Sequence, residues 1–120
     1  MANQKKIVDK EYRFSTVLTP GQTARMTVGC EVTGKIIQVT RHWPDGCDAL
    51  VDIAFGKEQE GLCPSTSGAY VALNDATPTV KMDTDVHRDD ILWAEFRNRD
   101  SVESHTPAVI VNVSGYEGPE

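Results

Sequence analysis

Ala49-Leu50-Val51-Asp52-Ile53-Ala54-Phe55 places Ala49, Val51, Ile53 and Phe55 at every second position, with Leu50, Asp52 and Ala54 between them. A period of two is what a strand with one face in a core demands, because successive side chains leave the pleated backbone on opposite sides. An amphipathic helix needs apolar residues three and four apart, and no window of the chain sustains that spacing. Turn formers bound the segment: His42-Trp43-Pro44-Asp45-Gly46-Cys47 before it and Gly56-Lys57-Glu58-Gln59 after it.

The same pattern extends in both directions. Upstream, 11–18 sets Tyr12, Phe14, Thr16 and Leu18 on one face, Thr19-Pro20-Gly21-Gln22 reads as a tight turn, and 23–30 alternates Ala24, Met26 and Val28 against Arg25 and Thr27. A strand over 31–41 contains Gly34, which marks a bulge or a close backbone approach. Downstream, short strands are expected over 60–63, 69–73, 77–83, 91–97 and 106–113, with Pro78 pointing to a sheet edge. About eight short strands without a helix predict an all-β fold, an antiparallel two-sheet β-sandwich of jelly-roll or immunoglobulin-like winding.

With 120 residues the chain has enough length for one core, so one domain is expected over 11–114. Residues 1–10 read as a flexible N-terminal arm able to add a strand to a neighbour, and 115–120 as a polar tail. The net charge of −6 opposes attraction to nucleic acid or anionic lipid. No signal peptide or membrane span is visible, and a soluble protein made in the cytoplasm is expected. Cys30, Cys47 and Cys63 lack C-x-x-C spacing. A hairpin turning between Phe55 and Gln59 would bring Cys47 and Cys63 together as a disulfide; the alternative is buried free thiols.

Motifs for nucleophilic, phosphate-binding, dinucleotide-binding and zinc-peptidase chemistry are all missing, so a non-enzymatic protein without a cofactor is expected. His42, His87 and His105 lie far apart, each beside a turn, and read as solvated. Asp83 and Asp85 point the same way if 83–85 is extended and are weak candidates for a hard cation, against the reading of a solvated acidic turn. Trp43 and Tyr70, each beside a turn or loop, are candidate platforms for stacking on a sugar ring, against the reading of buried plugs.

Several strands carry apolar residues on both faces. If Leu92, Ala94 and Phe96 face the core, Trp93 shares the other face with Ile91, Glu95 and Arg97. Leu50 stands opposite Val51 and Ile53, and Ile110 opposite Val109 and Val111. An exposed patch built from Leu50, Trp93 and Ile110 would mark a contact between subunits.

The run Trp43-Pro44-Asp45-Gly46-Cys47 leading into Ala49-Leu50-Val51, the later Cys63-Pro64, and Asn98-Arg99-Asp100 followed by His105-Thr106 resemble small β-sandwich structural proteins of viruses and phages, such as capsid-decorating subunits. The resemblance implies a non-enzymatic, multimeric surface protein of a virion and carries over no functional residue. Two functions are therefore expected in order: an assembly subunit forming a homo-oligomer and touching other structural proteins, then a carbohydrate-binding module that takes a glycan on Trp43 and Tyr70.

Overall fold

The computed structural model describes residues 6–64 and 71–117. Among them are nine strands and no helix: β1 (Ile7–Ser15), β2 (Thr23–Gly29), β3 (Val32–His42), β4 (Val51–Lys57), β5 (Glu60–Cys63), β6 (Val71–Ala72), β7 (Thr79–Val86), β8 (Ile91–Asn98) and β9 (Ala108–Glu117). They form two antiparallel sheets ordered β1-β9-β3-β7 and β2-β8-β4-β5, with β6 also paired to β4. The expected two-sheet sandwich is what forms.

The pairings are nested. β4 pairs with β5, β3 with β7, β2 with β8 and β1 with β9, so the chain is a long hairpin folded back on itself from the middle outward. Wrapping that hairpin closes β3 on β9 and β4 on β8. With the short β5 and β6 sharing one position, this winding is the jelly roll. Of the two windings the sequence left open, the strand order selects it.

Period-two alternation fills the interior from both sheets. Tyr12 and Phe14 of β1, Val51, Ile53 and Phe55 of β4, Leu92, Ala94 and Phe96 of β8, and Val109, Val111 and Val113 of β9 are buried in one core. Each large apolar side chain sealed there contributes about 1.5–3 kcal/mol.

One break in the alternation matters. On β3, Ile36 faces Val113 and Gln38 faces Asn112, so β3 advances two residues while β9 advances one. Ile37 is the extra residue of a bulge. Before it Val32 and Ile36 point inward; after it Val39 and Arg41 do, and Trp43 follows them into the core. The bulge suggested at Gly34 is thus three residues later. Gly34 takes the other role expected of it, since a Cβ there would lie 2.1 Å from the Ser114 carbonyl oxygen and 2.5 Å from the Gly115 Cα.

The expected boundaries need correcting at both ends. Ile7 pairs with Tyr116 and Lys10 with Val113, so most of the second half of the supposed arm and the start of the supposed tail are strand. Each polar end supplies the other's backbone partners, and Lys10 Nζ ties them through Glu117 at 2.7 Å and Glu31 at 3.5 Å. Strand β7 runs on to Val86, and it is an edge strand, as Pro78 just before it suggested. Of the strand expected over 69–73, Val71 and Ala72 pair with β4.

Candidate functional site

The three residues expected to share an apolar contact patch are not together. Trp93 alternates with the core residues of β8 and so faces outward from one sheet, while Ile110 alternates with those of β9 and faces outward from the other. They are on opposite sides of the sandwich. Ile110 is half-buried between Arg13 and Thr40 on the flanking strands, and Leu50 is a half-buried loop residue just before β4.

Trp93 is also satisfied within its own subunit. Its Nε1 donates to the Glu58 carbonyl at 2.8 Å, its ring lies against Gly56, and the Arg25 guanidinium stacks 4.4 Å from the ring centroid while pairing with Glu95 at 3.2 Å. Such cation–π contacts are worth about 0.5–1 kcal/mol at exposed sites. A patch of Leu50, Trp93 and Ile110 therefore does not exist, because period-two alternation fixes which face a residue takes but not which sheet it belongs to.

Trp43 is fully buried, and its Nε1 donates to the Val51 carbonyl at 2.8 Å. It plugs the sandwich and is no platform for a sugar; the bulge at Ile37 set its direction. Tyr70 lies outside the described residues.

Asp83 and Asp85 do point the same way from β7, and the cation they share is the ammonium of Lys35, at 3.5 and 2.7 Å. Lys35 beside it holds the Asp85 carboxyl below the ordinary carboxylate range. Both weak candidates for a metal ligand are thus engaged in ion pairs with Lys35, and among the described residues no group of three His, Cys, Asp or Glu side chains is arranged to hold a metal. The histidines stay apart: His42 bonds Thr77, His87 lies near Asp90, and His105 meets Asp100.

The disulfide expected between Cys47 and Cys63 does not form, and all three thiols are free and buried. Cys63 stands opposite Phe55, near the far end of β4, whereas Cys47 precedes the start of that strand at Val51. From Val51 to Phe55 the strand rises about 13 Å, well beyond what a disulfide spans.

What the structure does present is an open sheet edge. Among the described residues, four sheet edges are open: β1, β7, β2 and the position shared by the short β5 and β6. Natural sheets blunt such edges with charge, proline, bulges or brevity. β1 carries Asp9, Lys10, Glu11 and Arg13, β7 follows Pro78 and carries Lys81, Asp83 and Asp85, and β5 has four residues. β2, Thr-Ala-Arg-Met-Thr-Val-Gly, has a single charge and neither proline nor bulge. Its one charge, Arg25, is engaged by Glu95 and Trp93, and its inward side chains Ala24, Met26 and Val28 are half-buried against the core.

Beside the Thr23 end of β2 two loops are locked together. Leu18 and His105 exchange backbone hydrogen bonds at 2.8 and 3.0 Å, and Gly21 N–H reaches the Asp100 carbonyl at 3.2 Å. Buried Asn98 donates from Nδ2 toward the carbonyls of Leu18, Thr19 and Glu103 at 3.2, 3.2 and 3.0 Å. The Asp100 carboxylate accepts from the backbone of Val102 and Glu103 and meets His105 Nε2 at 2.9 Å. These contacts, His105 foremost, hold the Asp100 carboxyl below its ordinary range. The rigid pair of loops lifts Val17 and Val102 into solvent, 59% and 75% exposed. In sequence neither valine stands out, although the turn at 19–22 and the runs Asn98-Arg99-Asp100 and His105-Thr106 lie at this end.

No protein-family model matches the chain, and no curated protein matches it. Among solved structures it is similar to a protein of Bacillus endospore appendages, described as a novel family of disulfide-linked pili (15% identity, 96% of this chain and 95% of that one, TM-score 0.49). It is also similar to FLHE (13% identity, 88% and 96%, TM-score 0.46) and to a chain of Desmodium yellow mottle tymovirus (8% identity, 100% and 93%, TM-score 0.45). A pilus protein and a virus structure are thus among the chains it is similar to. None of the three exceeds 15% identity or a TM-score of 0.49, so the fold assignment stands on the strand pairings. No helix among the described residues is long and apolar enough to cross a membrane.

Proposed function

We propose that this protein is a non-catalytic structural subunit that associates with copies of itself through the edge of β2. The observation that carries the reading is the contrast among the sheet edges: three are blunted, and β2 offers a run of seven residues that is unpaired among the described residues and has no proline, bulge or free charge. A second β2 laid antiparallel across a two-fold axis would continue the sheet, giving each unpaired backbone group a partner. Val17 and Val102, fixed at one end of that edge, supply apolar surface whose ordering cost is met before any partner arrives.

A subunit that decorates the surface of a virion is the specific form we favour, since that is where the sequence resemblance points. Light scattering at micromolar concentration tests the reading. The wild type is expected to run as a dimer or larger, and Thr27→Lys, which sets a charge on the exposed side of β2, is expected to shift it toward monomer with an unchanged far-ultraviolet circular dichroism spectrum. A wild type that stays monomeric would sink the proposal.

A further inference from the structure

We propose that Arg41 is the cationic wall of an oxyanion site, taking a carboxylate or phosphate group against the inner face of β3. Arg41 is 9% exposed, and its Nε and Nη1 are buried without a hydrogen-bond partner. The Trp43 ring, 5.4 Å from the guanidinium carbon, covers the ion without offering an acceptor. Among the described residues no carboxylate lies within ion-pair distance of it, and the stretch 65–70 between β5 and β6, Ser-Thr-Ser-Gly-Ala-Tyr, contains no acidic residue.

The chain handles its other buried charge differently. Asp52, equally removed from water, receives Arg97 Nε at 2.6 Å and Arg99 Nε at 2.9 Å. Arg41 has no such partner. A buried unpaired charge is strongly disfavoured, so a counter-charge from beyond the described residues is called for. The planar guanidinium sets the class, because its parallel N–H groups match two oxygens of one carboxylate or phosphate. Burial pushes the Cys63 thiol up while the Arg41 charge pulls it back, which places the cation within electrostatic reach of β5 across the sandwich. A monomer would bind the anion as an oligomer would.

The test is a thermal melt in buffer whose only anion is chloride, with inorganic phosphate or acetate added at constant ionic strength. The wild type is expected to melt higher as the added oxyanion rises, with saturation, and its Arg41 Nε–H resonance is expected to move in step. Arg41→Met is expected to melt above the wild type in the chloride buffer and to ignore both additions. A response to phosphate alone assigns phosphate chemistry, and a response to acetate assigns carboxylate chemistry. A wild type whose melting point and Nε–H resonance are indifferent to both additions overturns the proposal, whether or not Arg41→Met folds.

Discussion

The indole of Trp93 occupies the space a side chain at position 56 would need: a Cβ on Gly56 would stand 2.2 Å from Trp93 Cζ2 and 2.3 Å from the Glu60 carbonyl oxygen. The two residues are directly paired between β4 and β8, so ring and glycine are fitted to each other. Gly56→Ala is expected to destabilise the fold by about 1–3 kcal/mol, the usual cost of forced overpacking, because one obstacle is backbone. Urea unfolding followed by Trp fluorescence measures it.

Asn98→Asp keeps the shape of a buried side chain and removes its donor. The carbonyls of Leu18, Thr19 and Glu103 would then face a carboxylate. A buried unsatisfied group costs about 1–3 kcal/mol, and a charged one more, so the variant is expected to lose at least that much in chemical denaturation. Because the same side chain fixes the loops of Val17 and Val102, weaker self-association is expected at concentrations where the variant remains folded.

The lowered pKa of Asp100 gives a signed pH dependence. A carboxylate held below its unfolded value of 3.8 contributes stability that is complete above that value and is lost as pH falls through the lower folded value. Asp100→Asn is therefore expected to be less stable than the wild type at neutral pH. The gap should narrow as the pH drops below about 4. Urea midpoints of the two proteins across that range check both the sign and the window.

Burial raises the pKa of all three thiols, Cys30, Cys47 and Cys63. A thiol that is buried and protonated is a poor nucleophile. The folded protein is expected to react slowly with a chromogenic thiol reagent at mildly alkaline pH, and to release the full signal of three thiols once denatured. Rapid labelling of the native state at even one of them would show that the interior is open.

Much of the fold was legible because it depends on parity. Phe55, Phe96 and Val111 announce their side of a strand by their spacing alone, and Pro78 announces an edge. The site was less legible because contacts between strands are set by pairing, which spacing does not encode. Asp83 and Asp85 were correctly aimed together, but their partner Lys35 lies on another strand. Trp93 looked unpartnered in sequence because Gly56, Glu58 and Arg25 reach it from two other strands and a turn. Trp43 misled for a different reason: the bulge that turns it inward sits six residues earlier and leaves no mark in composition.

That bulge makes the chain's numbering do structural work. Were Ile37 drawn into a regular ladder, with β3 keeping step with β9 residue for residue, the rest of the strand would be read out on the reverse side. The guanidinium now shut between the sheets would look onto solvent, the indole that stoppers the barrel-like interior would follow it out, and Thr40 and His42 would be driven inward. The same polypeptide without that one-residue slip would be a different object, although its composition would be unchanged.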